Sequence, residues 1–267
     1  MGLVNELPKG YQLTHLAEVD STNEEARRMA AQHETVPTWI IADRQTAGRG
    51  RRGRVWDSPT GNLMTTLYLP QAFDAVKAGQ IAFVAGLALE STVSELVGQG
   101  AVVSLKWPND VLVNGKKASG ILLESAMRDH KLDWLAVGLG LNLVHHPEDT
   151  PYPATDLQAE GVAQISNLQA LSLLATTFEG FFQQWQSGGF EPILRAWRQV
   201  AHGLGGPIVA RLENHQIEGN FHDIDAKGAL ELGIGSRGRW LKSSYSTKTT
   251  LLMSAKKWKA TSHKSGG

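Results

Sequence analysis

The sequence predicts an α/β (α+β) protein in which strands and helices interleave along the chain. Two short apolar segments, Trp39-Ile40-Ile41-Ala42 and Leu63-Met64-Thr65-Thr66-Leu67-Tyr68-Leu69, have strand composition. From Gln80 to Val97 the residues Ile81, Val84, Ala85, Ala88, Leu89, Val93 and Leu96 recur at helical spacing instead. Between Val111-Leu112-Val113 and Ala118-Ser119-Gly120-Ile121-Leu122-Leu123 sits Asn114-Gly115, a hairpin signal because both residues tolerate positive φ. The chain of 267 residues is long enough for one large domain and a small one.

Taken in order, Tyr11 to Val19 reads as a strand, and the residues from Asp20 open a helix. Ser21 with Glu24 three positions later has the form of a capping box, and Ala26, Met29 and Ala30 supply the apolar side. Ser21, Thr22 and Asn23 either cap that helix or line a polar ligand pocket. Leu63–Leu69 is stopped by Pro70, and the Gln80–Val97 helix reads as scaffold. Val102 to Lys106 is a strand, with Trp107-Pro108-Asn109-Asp110 as a turn after it. Lys116 and Lys117 follow the hairpin turn, where lysines usually discourage edge pairing. Trp134 to Asn142 is an apolar strand whose glycines suggest close backbone approach. His145 to Asp156 is a Pro-rich loop, and its paired His145 and His146 lack a third ligand at metal-binding spacing. Asn167 to Gln184 and Phe190 to Val200 read as helices.

Composition narrows the function. Lys+Arg 26 against Asp+Glu 26 leaves no net charge, which disfavours a dedicated nucleic-acid binder. Cysteine is absent, so disulfides, thiolate metal sites and a thiol nucleophile are excluded. No apolar run approaches membrane-spanning length, and the N-terminus does not read as a signal peptide; a soluble, cytoplasmic protein without a membrane partner is expected.

The densest chemistry lies in Gln45 to Trp56, QTAGRGRRGRVW. Gly48, Gly50 and Gly53 alternate there with Arg49, Arg51, Arg52 and Arg54. Glycine lets the backbone approach a ligand, and arginine offers a forked cation to carboxylate and phosphate oxygens. The run satisfies G-x-G-x-x-G literally, but a Rossmann turn needs a helix to open on its glycines. Pro59 and Gly61 forbid a long helix here, and that reading fails. A nucleic-acid patch and a solvated basic loop remain as rivals.

The ordered set Ser21-Thr22-Asn23, QTAGRGRRGRVW, KWPND (Lys106 to Asp110), NGKKASGILLE (Asn114 to Glu124) and VGLGLN (Val137 to Asn142) resembles the biotin protein ligase family over about residues 14 to 232. The resemblance implies a mixed β-sheet with helices, related to the lipoate ligases, over residues 1–204. A small SH3-like barrel would follow over 205–235, with strands Pro207–Leu212, Gln216–Ile224 and Ala229–Leu232 and a turn at Asp225–Gly228. It also implies ATP-dependent formation of biotinyl-5′-adenylate, with Mg²⁺, and transfer to a lysine of the biotin carboxyl carrier protein domain of a biotin-dependent carboxylase. The short segment before Ser21 leaves no room for the helix-turn-helix of larger members, so the monofunctional type without DNA binding is expected. Homodimerisation by sheet extension is a family habit.

Residue by residue, the resemblance gives Ser21, Thr22, Asn23, Gln45, Gly48, Gly50 and Gly120 to the biotin side. Arg49, Arg51 and Lys117 become the catalytic cations, Lys117 touching both carboxylate and phosphate. Arg54, Trp56, Lys106, Asn109, Lys117 and Asn142 fall to ATP. Asp110 reads equally as a turn residue or as a carboxylate near the metal that helps the incoming lysine lose its proton. The alternatives are a lipoate or octanoate ligase or transferase of the same fold, and a non-catalytic nucleic-acid-binding protein using the arginines.

Beyond Leu232 the chain departs from the family. From Gly233 onward it carries eight Lys or Arg and no acid. Residues 236–267 are therefore expected to be a disordered basic tail, and the small barrel to be incomplete.

Overall fold

Seven strands pair into one sheet that carries the rest of the chain. The computed structural model describes residues 6–71, 74–128, 131–211, 216–234 and 239–242. The strands are β1 Gln12–Val19, β2 Thr38–Gln45, β3 Leu63–Leu69, β4 Val103–Lys106, β5 Asp110–Val113, β6 Lys116–Arg128 and β7 Lys131–Leu141, in the spatial order β1-β2-β3-β7-β6-β5-β4. β1 and β2 run parallel, joined through helix α1 Thr22–Ala31; all other neighbours are antiparallel. A parallel pair requires such a crossover, and the sheet is mixed as expected.

Residue alternation along the strands assigns the two faces. Trp39, Ile41, Leu67, Leu69 and Val137 join the main core with helices α2 Ala75–Val97, α3 Asn167–Gly188 and α4 Phe190–Gln199. Ile40, Tyr68, Trp134 and Ala136 face the other way and pack on Ala26 of α1. β3, at the centre, is buried at all seven positions.

Two helix readings change. α2 begins five residues before Gln80, because the Asp74 carboxylate caps it by accepting from the Lys77 N–H at 2.8 Å. At 23 residues, with mean hydropathy 1.3 over its most apolar 18, it is long and apolar enough to cross a membrane, contrary to the sequence reading. Packing against α3, α4 and the sheet explains its composition without a bilayer. The capping box of α1 does not form: Ser21 is the N-cap residue, but its side chain makes no cap hydrogen bond. Gln45 replaces it, its Oε1 accepting from the Thr22 N–H at 2.8 Å, while Glu24 pairs with Arg27 and Arg49.

The C-terminal strands β8 Pro207–Arg211, β9 Gln216–Ile224, β10 Leu230–Ile234 and β11 Arg239–Lys242 form a four-stranded antiparallel sheet in the order β11-β10-β9-β8. β11 was not expected, since it falls in the segment read as a disordered tail; backbone pairing with β10 accommodates it despite its basic composition. Leu212 and residues 243–267 lie outside the described residues. The turn at Asp225–Gly228 forms as expected, with Asp225 Oδ1 accepting from the N–H groups of Lys227 and Ala229. This small sheet docks firmly. Phe221, Ile224, Leu230 and Leu232 enter the main core, and Arg198 of α4 grips both Asp223 oxygens at 2.7 and 3.1 Å.

Candidate active site

The site lies on the α1 face of the large sheet, beyond the N-terminus of α1. Here β7 loses its side chains on this face. Gly138 and Gly140 alternate on β7, with Thr66 and Met64 beside them on β3 and Leu122 and Gly120 on β6. The trough so made is filled by residues from outside the sheet. A β-carbon at Gly138 would collide with the Asn23 amide, and one at Gly140 would lie 2.5 Å from the Trp56 indole. Close approach, the reason suggested by the sequence for these glycines, is thus observed.

Around the trough is a cavity of about 740 Å³. Every residue expected at the site lines it except Gly48: Ser21, Thr22, Asn23, Gln45, Arg49, Gly50, Arg51, Arg54, Trp56, Lys106, Asn109, Asp110, Lys117, Gly120 and Asn142. Gly48 instead stands beneath the loop, where a β-carbon would be 2.5 Å from Ser58 Oγ and from the Trp56 carbonyl oxygen. Phe221, Leu230 and the first residues of β8 close the cavity from the small sheet.

The glycine–arginine loop is a narrow hairpin. Arg49 bridges Val55, the Gly50 N–H donates to the Arg54 carbonyl at 2.7 Å, and Trp56 N–H donates to Gly48 at 3.0 Å. Its tip turns through Arg52 at φ 59° and Gly53 at φ 68°. The arginines then diverge: Arg49 pairs with Glu24, Arg51 donates from Nη1 to Asn109 Oδ1 at 3.0 Å, and Arg54 is exposed. Burial opposes the charge of Arg49, but Glu24 and Glu124 outweigh it and raise its pKa.

Across the cavity, a bulge in the β5–β6 pairing between Val111 and Leu112 sets Lys117 opposite Leu112. Lys117 Nζ lies 2.8 Å from Asp110 Oδ1 and 5.3 Å from the centre of the Trp56 ring. Its neighbour Lys116 points elsewhere, to Glu160 at 2.5 Å. Asn109 is anchored by donating to the Ile121 carbonyl at 2.9 Å, and Asn142 by donating to that of Thr155 at 3.0 Å. One Asp110 oxygen is taken by Lys117; among the described residues no group of three or more acidic or histidine residues that could hold a metal occurs. His145 pairs with Asp57 and His146 with Asp156.

Four contributors escaped sequence reasoning. Thr66 is buried and donates to Asn23 Oδ1 at 2.6 Å; Glu124 accepts from Asn23 Nδ2 at 2.7 Å. Tyr152 lies with its ring centre 4.6 Å from Lys106 Nζ, and Trp107 donates from Nε1 to the Gly228 carbonyl at 3.2 Å. Glu124 and Trp107 fall inside the quoted motifs, a usable signal. Nothing local marks Thr66 or Tyr152.

A trough on a mixed sheet, walled by a polar helix end on one side and cations on the other, can hold an anionic ligand that carries a polar head group. Residues 16–142 match the biotin/lipoate A/B protein ligase family, and the chain belongs to this family. A biotin–[acetyl-CoA-carboxylase] ligase of Paracoccus denitrificans is 42% identical over 229 residues, covering 84% of this chain and 95% of that protein. The bifunctional ligase/repressor BirA of Bacillus subtilis is 32% identical, over 86% of this chain and 72% of its own length. Among solved structures, the biotin protein ligase of Aquifex aeolicus in complex with biotin and ATP superposes with TM-score 0.73 at 28% identity, covering 88% of this chain and 97% of that one.

Proposed function

We propose that this chain is an ATP-dependent biotin–protein ligase, which joins biotin to ATP as biotinyl-5′-AMP and passes the biotinyl group to a lysine of a biotin carboxyl carrier protein domain. The observation that carries the reading is the convergence of Lys117, Arg49 and Arg51 on one trough, opposite the polar end formed by Ser21, Thr22, Asn23 and Gln45.

The chemistry explains the cations. A carboxylate oxygen must attack the α-phosphorus of ATP, expelling pyrophosphate, and the two anions repel. Fixed positive groups offset that repulsion and act most strongly on charge that builds up in the transition state. Lys117 is assigned to the shared edge of carboxylate and phosphate, where it would exchange Asp110 for its ligands. Arg49 and Arg51 close over them, with Gly48, Gly50 and Gly120 admitting close approach. Trp56, Arg54, Lys106, Asn109 and Asn142 take the nucleotide. The Asp110 carboxylate, released from Lys117, is assigned to accept a proton from the carrier lysine as its amine attacks the acyl carbon and AMP leaves.

Mg²⁺ is read as arriving with its nucleotide, as MgATP, with Asp110 as the carboxylate of the expected set that could meet it. It needs few protein ligands besides phosphate oxygens and water. Catalysis is assigned to residues 1–204 and cover of the cavity to the small domain from 205. A cytoplasmic site of action, without membrane or DNA partners, belongs to the same proposal. So does a homodimer formed by sheet extension at β1, the edge strand whose outer side carries no further strand among the described residues.

Mass spectrometry of the purified protein incubated with ATP, Mg²⁺ and either biotin or lipoate tests the reading. Bound biotinyl-5′-AMP is expected. Lipoyl-adenylate alone would move the substrate to the sister branch of the family, and no adenylate from folded protein would overturn the reading.

A further inference from the structure

We infer that Glu124 is a positioning residue that orients the Asn23 amide, and thereby selects for ligands with a ring N–H over those without one. The inference rests on the biotin reading and adds a residue and a specificity rule to it.

Asn23 is held from three strands. From below, Gly138 on β7 leaves it room that no other residue would. Thr66 on β3 donates to Oδ1 at 2.6 Å. On β6, Nδ2 donates to Glu124 Oε2 at 2.7 Å and to the Leu122 carbonyl at 3.4 Å. A carboxylate can only accept, so Glu124 forces the amide nitrogen toward itself and the oxygen toward Thr66. Both amide hydrogens are then directed at protein acceptors. What remains for the cavity is the second lone pair of Oδ1, which asks for a donor. The cyclic urea of biotin carries ring N–H groups; the dithiolane of lipoate carries none.

Glu124 also reaches the opposite wall. Its other oxygen, Oε1, lies 3.6 Å from Arg49 Nη2, whose guanidinium is anchored in turn by Glu24 at the start of α1. One carboxylate thus links the Asn23 amide to the glycine–arginine hairpin. Its side chain is 17% exposed against 39% for that of Arg49, so the carboxylate is the more shielded end of this link.

Glu124→Gln keeps the size and removes the constraint, since a glutamine amide can donate as well as accept. The experiment is ATP–pyrophosphate exchange, with biotin and with biotin methylated at the ring nitrogens. For biotin, KM should rise about tenfold or more, while KM for ATP stays within about twofold. With the methylated ligand, wild type and variant should be alike, because the N–H that Asn23 reads is gone. Thr66→Val removes the hold on the other side of the amide without changing charge and should show the same split; because Thr66 Oγ1 also lies 2.8 Å from Thr22 Oγ1, Asn23→Asp, which keeps an acceptor but loses the donor to Glu124, is run beside it and should raise the KM for biotin in the same way. An unchanged KM for biotin in the folded variants, or equal rises for biotin and ATP, would overturn the inference while leaving the ligase reading intact. A wild-type protein that makes no biotinyl-5′-AMP would instead bring down that reading and this one with it.

Discussion

The Trp56 indole lies over Gly140 at a distance that admits no side chain: a β-carbon there would be 2.5 Å from the ring. The same ring is 5.3 Å from Lys117 Nζ, so the glycine seats both an aromatic wall and, through it, a cation. Gly140→Ala should push the indole out of the trough. Because Trp56 is only partly buried, the expected cost falls on function, with kcat/KM for ATP reduced about tenfold, equivalent to about 1.4 kcal/mol. Steady-state adenylation kinetics would read it, and an unchanged value would dissociate Trp56 from nucleotide binding.

Arg51 ties the hairpin to the turn before β5 through its 3.0 Å bond to Asn109. An acyl-adenylate hydrolyses when water reaches it, so a closed hairpin protects the intermediate. Arg51→Gly removes the tie and adds backbone freedom at the tip. The variant should still make biotinyl-5′-AMP but release it, detectable as free adenylate passing a filter that retains the protein. Full retention would show that closure does not depend on this contact.

What the sequence revealed divides by range. β3 was legible residue for residue, because its apolar composition and the stop at Pro70 act locally, whereas the bounds of β9 came from the family resemblance. The hairpin at Asn114-Gly115 and the site motifs were legible for the same reason. The longer extents of β6 and β7 were not, since their outer residues pair only because the two strands lie side by side. Asp74 was a readable cap that the periodic pattern overshadowed. The Ser21–Glu24 box failed because Gln45, more than twenty residues away, competes for the helix N-terminus and Arg49 competes for Glu24. Thr66 and Glu124 meet Asn23 across 43 and 101 residues, a relation that no local pattern encodes.

Glu24 provides a pH signature. Burial pushes its carboxyl up, but hydrogen bonds from Arg49 and Arg27 outweigh that and hold its pKa below the ordinary 4.5. A depressed folded pKa adds stability that is fully present above the unfolded value and lost as pH falls through the folded one. The difference in melting temperature between wild type and Glu24→Gln should therefore be constant above about pH 5.5 and shrink below about pH 4.5. A difference that persists unchanged into strong acid would mean that the carboxylate charge is not what anchors Arg49.

Gly228 joins the small sheet to the turn before β5. It sits at φ 83°, a β-carbon would be 2.7 Å from the Phe83 ring, and its carbonyl accepts from Trp107 Nε1 at 3.2 Å. Trp107 lies between Lys106 and Asn109 in sequence, so movement of the small sheet is transmitted to residues assigned to the nucleotide. Gly228→Ala combines left-handed backbone strain with a clash against a buried ring, together about 1–3 kcal/mol of destabilisation. Lys227→Ala, one position earlier and exposed, should leave stability within about 0.5 kcal/mol. Denaturant titration separates the two, and hydrogen exchange should show faster opening of β9 and β10 in Gly228→Ala alone. Equal behaviour of the two variants would mean that the small sheet is held by the Arg198–Asp223 pair and its apolar face, and that Trp107 carries no coupling between it and the site.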